Sequence, residues 1–190
     1  YVLIGEGETQ RWSKLPVQTS GKAASSTNPT TWTDFLSAEA AYLTGRFDGI
    51  GFVFTGDDHI IGVDLDDCFD DVSNTFTNEE LERIANGIDG YMEISPSGTG
   101  VKIFTLADLH ASHVDHDKGL EIYPKGRYFT VTGHVIQGHE KIPQKVQDID
   151  WLIEKYFKGR KEFTLKETNT SFESHVPPLE GWDLERVERE

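Results

Sequence analysis

Two carboxylates stand where a buried strand ought to be apolar. The run Ile60-Ile61-Gly62-Val63-Asp64-Leu65-Asp66-Asp67 is β-branched enough to predict a strand. Successive side chains of a strand alternate faces, so Asp64 and Asp66 point the same way, about 6 to 7 Å apart. Like charges on one half-buried face repel, and an unpaired buried carboxylate is costly, so a cation belongs there. A hard divalent ion is one such cation. The plainer alternative is a strand end running into a solvated acidic loop, because Asp67, Asp70 and Asp71 follow at once. Glu121, in Gly119-Leu120-Glu121-Ile122-Tyr123, is a third candidate, with apolar neighbours on both sides that face the other way. If its strand lies beside the first, three carboxylates converge and suit one or two Mg²⁺ or Mn²⁺ ions held together with substrate phosphates. Taken alone, Glu121 reads as a strand-edge charge.

Ser95-Pro96-Ser97-Gly98-Thr99-Gly100-Val101-Lys102 offers hydroxyls, backbone N–H groups and an ammonium, the elements of a phosphate cradle. It lacks the GxxxxGK[ST] pattern of an ATPase loop, and a plain hairpin turn explains it too. In Lys125-Gly126-Arg127-Tyr128-Phe129-Thr130-Val131-Thr132, alternation puts Arg127 and Phe129 on one face and Tyr128 and Thr130 on the other. Arginine suits phosphate oxygens and an aromatic ring suits a base or sugar, although sheet-packing aromatics account equally well for Tyr128 and Phe129. His110, His113 and His116, with Asp115 and Asp117, have a spacing that defines no ligand set, so this segment reads as a solvated loop in preference to a zinc site.

The elements that must position these groups follow from periodicity. Strands are predicted at residues 1–4, 50–54 and 60–65, the last two forming a hairpin about Gly56-Asp57-Asp58. Further strands are predicted at 91–95 and 101–106 about the Ser97 turn, and at 120–123 and 128–136 about Pro124-Lys125-Gly126. Helices are predicted from 31 or 33 to 43, from the capping box Thr77-Asn78-Glu79-Glu80 as far as Gly90, and over 148–157. The stretch 6–29, rich in Gly, Ser and Thr, reads as a loop or irregular hairpin. Helices alternating with strand pairs make the fold class α+β, a mainly antiparallel sheet with helices on one side.

At 190 residues the chain suits a single domain, expected over 1–160, with 161–190 as a linker or tail. No apolar run is long enough to span a membrane, and the opening Tyr1-Val2-Leu3-Ile4 has no basic segment before it, which together predict a cytoplasmic product. The single cysteine, Cys68, excludes an internal disulfide framework and reads as a small structural side chain. A net charge of −15 argues against a protein that coats nucleic acid, but not against an enzyme acting on it, since basic residues return at Lys125, Arg127, Lys141, Lys145, Lys155 and Lys158.

The order of motifs resembles the bifunctional primase-polymerase domains of the archaeo-eukaryotic primase superfamily, of the type encoded by phages and plasmids. The pieces are Gly21-Lys22-Ala23-Ala24-Ser25-Ser26-Thr27-Asn28-Pro29, Gly49-Ile50-Gly51-Phe52-Val53-Phe54, Gly62-Val63-Asp64-Leu65-Asp66, Glu93-Ile94-Ser95-Pro96-Ser97-Gly98-Thr99-Gly100, and Leu120-Glu121-Ile122-Tyr123 followed by residues 126–133. The resemblance covers about residues 1–157. The resemblance implies an RRM-like catalytic sheet and template-directed nucleotidyl transfer in DNA replication, with DNA template and primer and dNTP or NTP as partners. It implies Asp64, Asp66 and Glu121 as catalytic ligands of two Mg²⁺ or Mn²⁺ ions. For the nucleotide it implies Lys22, Ser25, Ser26, Ser97, Gly98, Arg127 and Tyr128, the last where a family member senses the sugar, and Lys102 joins them by its own charge. It also implies a prokaryotic host, a monomeric domain and a helicase region or partner beyond the tail. The family's turn commonly ends SGxGxH, and Lys102 takes the place of that histidine, giving charge that does not titrate near neutrality but no imidazole bond. A two-metal nuclease and a non-catalytic nucleotide- or nucleic-acid-binding module of the same fold remain as alternatives.

Overall fold

The computed structural model describes residues 2–4 and 11–159. By their contacts they fall into two compact units, one within residues 1–48 and one starting at Gly49. The predicted tail over 161–190 lies outside the described residues.

In the first unit β1 (Val2–Ile4) pairs antiparallel with β2 (Arg11–Ser13). The following loop is stitched by Gln18, whose N–H donates to Lys22 O at 2.8 Å, and by Trp32 Nε1, which donates to Ser25 O at 2.6 Å. A 3-10 turn, Pro29–Thr31, precedes α1 (Phe35–Tyr42), which begins later than predicted because Asp34 caps it, accepting from Ser37 N at 2.9 Å. The hydrogen bonds from the Ser37 backbone and hydroxyl hold the Asp34 carboxyl below its usual range. The apolar side chains Phe35 and Leu36 of α1, and Leu43 at its C-cap, are all exposed.

The second unit carries β3 (Ile50–Val53), β4 (Ile60–Leu65), β5 (Phe69–Asp70), β6 (Thr75–Phe76), α2 (Glu79–Asn86), β7 (Tyr91–Ile94), β8 (Val101–Leu106), β9 (His113–Asp115), β10 (Leu120–Tyr123), β11 (Tyr128–Val131) and α3 (Asp150–Tyr156). Five of these strands form an antiparallel sheet in the order β7-β8-β4-β10-β9. The α+β class is therefore as expected. Alternation sends Ile61, Val63 and Leu65 of β4, Val101 and Ile103 of β8, and Leu120 and Ile122 of β10 to one face. There they pack on Leu81, Ile84 and Ala85 of α2 and on Leu152 and Tyr156 of α3. Cys68 is buried in the same core, its thiol pushed up to about 12, chiefly by burial, so it stays protonated and structural as expected.

Strand partners differ from the sequence expectation in two places. Residues 50–54 and 60–65 do not form a hairpin, nor do 120–123 and 128–136, because β4 has both edges occupied by β8 and β10. Instead β3 pairs with β11, and this ribbon lies over the second face of the sheet, where Phe54 and Phe129 cluster with Phe104 and Tyr123. Gly62 makes the approach possible. A Cβ there would lie 2.7 Å from Phe54 Cε2 and closer still to Phe54 Cζ and Phe129 Cε2. Gly62→Ala is therefore expected to destabilise the unit by about 2–3 kcal/mol through overpacking, read as a lower urea midpoint; an unchanged midpoint would show that this aromatic layer yields freely.

The predicted strand over 128–136 is also broken. After β11 the chain turns at Gly133 (φ 72°) and then runs along the outer edge of β7, where Ile94 N donates to His134 O at 2.9 Å and Ile136 N to Met92 O at 2.9 Å. The cap of α2 is Asn78, accepting from Glu80 N and Leu81 N, since Thr77 N is already committed to Cys68 O at 2.8 Å. The helix ends at Gly87, short of Gly90. The histidine segment is not wholly a loop: β9 closes the sheet edge, and the His113 ring lies 5.2 Å from that of Phe157. No described helix is long and apolar enough to cross a membrane.

Candidate active site

The second face of the sheet carries a row of ionisable side chains at one register level. Glu93 of β7 stands opposite Lys102 of β8, Lys102 opposite Asp64 of β4, and Asp64 opposite Glu121 of β10. All four are buried, at 0, 6, 6 and 5% exposure, which for charged groups demands compensation within the fold. The same parity that sends Val63 and Leu65 into the core sends Asp64 away from it.

Each carboxylate is answered differently. Glu93 accepts from Tyr91 OH at 2.8 Å and from the backbone N–H groups of Thr132 at 2.9 Å and Gly133 at 3.1 Å. Glu121 accepts from Tyr123 OH at 2.7 Å, with His116 Nδ1 at 2.8 Å and Arg127 Nη2 at 3.8 Å. Asp64 Oδ1 forms an ion pair with Lys102 Nζ yet receives no directed hydrogen bond. The Tyr91 and Tyr123 phenols are pushed above their ordinary range, chiefly by burial, and so remain donors to these carboxylates at neutral pH. Lys102 Nζ also lies 5.1 Å from the Phe129 ring centroid, and Arg127 stacks at 5.0 Å over Tyr123.

Asp66 sits just past the end of β4 and is exposed, its N–H donating to Gly119 O at 2.9 Å. Gly119 (φ 63°) brings the two chains so close that a Cβ on it would lie 2.8 Å from Asp66 O. The adjacency of the Asp64 and Glu121 strands, left open by the sequence, is thus realised. Among the described residues, however, no three His, Cys, Asp or Glu side chains stand close enough together to ligate one ion.

The remaining candidates are spread more widely. The β7–β8 turn holds Ser97 and Gly98, but its groups already bond one another. Gly98 N donates to Ser95 O at 2.9 Å, Gly100 N to Ser95 Oγ at 3.1 Å, and Ser97 Oγ lies 2.9 Å from Ser95 Oγ. A Cβ on Gly98 would lie 2.8 Å from Asp71 Cγ, so Asp71 flanks this turn and is more than the solvated exit of the strand. Arg127, half exposed, and His116, more exposed still, are the basic groups beside Glu121 with room to meet solvent. Tyr128 is not brought to the carboxylates: Phe129 faces the sheet, so alternation places Tyr128 on the outer side of the ribbon, against Gly51. Lys22, Ser25 and Ser26 belong to the first unit, where Ser25 Oγ lies 3.1 Å from Thr27 Oγ1.

No family model matches the chain. It is 35% identical over 141 residues to a protein named DNA Primase-polymerase from Nitratiruptor phage NrS-1, a match that takes in 71% of this chain. The chain holds a domain of the phage primase-polymerase type. It spans about a fifth of the length of that relative.

The donor chemistry of this primase-polymerase domain fits a hard divalent cation. Asp64 presents a buried oxygen with no directed hydrogen bond, Glu121 is its neighbour across the strand pair, and Asp66 follows at the strand end. Three residues of the site escaped the sequence reading. Glu93 had a signal in its parity with Tyr91, which marks an acid facing away from an apolar core. Tyr123 had one too, two residues from Glu121 on the same face. His116 had none beyond its type, because a loop-to-strand contact has no period.

Proposed function

We propose that the domain catalyses template-directed nucleotidyl transfer, making and extending primers in DNA replication, on an RRM-like sheet. The observation that carries this reading is the buried cross-strand pair of Asp64 and Glu121 on the sheet face turned away from the helices. Two Mg²⁺ or Mn²⁺ ions held by Asp64, Asp66 and Glu121 would lower the pKa of the attacking 3′-hydroxyl and stabilise charge on the transferred phosphoryl group. Tyr123 and the β10 strand hold Glu121 in place. Tyr123 OH fixes Oε2, and burial of Leu120 and Ile122 keeps the strand from rotating. Arg127, with half its side chain in solvent, supplies a guanidinium to the triphosphate oxygens, and the Ser97–Gly98 turn is a second element for the nucleotide. The Phe54, Phe104 and Phe129 cluster excludes water from one end of the carboxylate row. DNA template and primer, and dNTP or NTP, are the substrates in this reading.

Incubation with labelled DNA, with and without a primer, in Mn²⁺ and nucleoside triphosphates tests it. Elongated or newly made strands are expected. Shortening of the label without nucleotides would indicate a nuclease, and nucleotide binding with no incorporation on any template would indicate a binding module.

A further inference from the structure

Lysine is among the residues least often found fully buried, because its ammonium is strongly hydrated. Lys102 is nevertheless 6% exposed, and its surroundings explain what holds it. Of the two carboxylates at its register level, Glu93 is saturated by one phenol and two backbone N–H groups. Asp64 is not, and the ion pair of Lys102 is with Asp64. Beneath the ammonium lies the Phe129 ring, which offers a face but no competing acceptor. The contact with Asp64 Oδ1 is an ion pair between one ammonium and one carboxylate oxygen. On the other side Glu121 is met by His116 Nδ1 at 2.8 Å and by Arg127 Nη2 at 3.8 Å.

We propose that Lys102 is an exchangeable internal counter-ion: it neutralises Asp64 in the metal-free protein and gives the carboxylate up when a divalent cation is bound. The inference rests on the metal reading given above. Asp64 and Glu121 are adjacent and buried; Asp64 faces the Lys102 ammonium, and Glu121 faces His116 Nδ1 and, farther off, the Arg127 guanidinium. A dication held by both carboxylates would answer both charges, and it would displace the ammonium at the cost of breaking the Lys102–Asp64 pair. Lys102 then stands on the sheet face beside the turn that follows β7, free to meet an anionic group of substrate. The consequence is that Lys102 weakens the first metal-binding step, keeps the metal-free fold stable, and couples metal loading to nucleotide affinity.

Lys102→Met retains the apolar stem over Phe129 and removes the charge. Free Mn²⁺ measured by electron paramagnetic resonance gives the affinity, and thermal unfolding in EDTA and in Mn²⁺ gives the stability. The variant is expected to bind Mn²⁺ at least about tenfold more tightly than the wild type. Its unfolding midpoint should fall in EDTA and be raised by Mn²⁺ more than that of the wild type. Equal or weaker Mn²⁺ binding by the variant, with the wild type binding normally, overturns the role of Lys102 and leaves the metal reading standing. No Mn²⁺ binding by either protein overturns both. If Lys102→Met folds only with Mn²⁺ and unfolds reversibly on chelation, the proposal is supported; if it does not fold at all, Lys102→Gln is measured against the same two outcomes. The double variant Asp64→Asn, Lys102→Met should lose the gain in affinity.

Discussion

Asp66→Asn is expected to lower nucleotide incorporation by about a thousandfold, equivalent to about 4 kcal/mol of transition-state stabilisation, while leaving the urea midpoint of the metal-free protein almost unchanged. Asp66 is exposed, and its backbone N–H bonds Gly119 O, a bond that asparagine keeps. Exposed substitutions of this kind cost within about 0.5 kcal/mol of stability. What asparagine lacks is the anionic hard donor. Asp64→Asn gives the informative contrast, because it strands the buried Lys102 ammonium as well as removing a donor. It should lose activity and also about 3 kcal/mol or more of stability, the scale of breaking a buried pair by removing one partner. Parallel single-turnover incorporation and urea unfolding measure both. If Asp66→Asn keeps more than about a tenth of wild-type incorporation at saturating Mn²⁺, Asp66 is not a ligand whose charge the transfer step uses.

Glu93→Leu should be the most destabilising of these single changes, by about 3–5 kcal/mol. The carboxylate sits where the chain leaves the β3–β11 ribbon and turns at Gly133 onto the outer edge of β7. It accepts from both N–H groups of that corner, Thr132 and Gly133, and from Tyr91 OH. Leucine leaves three buried or half-buried donors without an acceptor, each costing about 1–3 kcal/mol when orphaned, partly offset by the apolar area it adds. Glu93→Gln keeps one acceptor oxygen and should lose less than half as much. Urea unfolding of the two variants tests the order. A midpoint for Glu93→Leu within the equivalent of about 1 kcal/mol of wild type would mean that the corner is held by packing alone.

Much of the architecture could be read before any coordinates because it depends on near neighbours in sequence. The alternation in residues 60–65 sorts Val63 from Asp64, and that in 120–123 sorts Ile122 from Glu121; the structure keeps both assignments. The turn between β7 and β8 is also where its small residues indicated. Errors arose where a contact joins distant segments. Two strands close in sequence, as at 50–54 and 60–65, favour a hairpin, but β4 is more stable between β8 and β10 because both faces of its side chains then find apolar or ionic partners. For Phe129 the sequence left binding and sheet packing equally open, and the structure has Phe54 and Phe129 covering Gly62.

The sequence by itself determined the class of fold, the face on which Asp64 and Glu121 stand, and the kinship with phage primase-polymerases, since periodicity and motif order are properties of the chain read in one dimension. Only the tertiary structure decided that Asp64 lies between Glu121 and Lys102, that Glu93 is committed to the corner at Gly133, and that Tyr128 is turned outward. Strand pairing is the physical reason. A period of two says which face a side chain takes but not which strand lies beside it, and the charge each buried carboxylate feels is set by that neighbour.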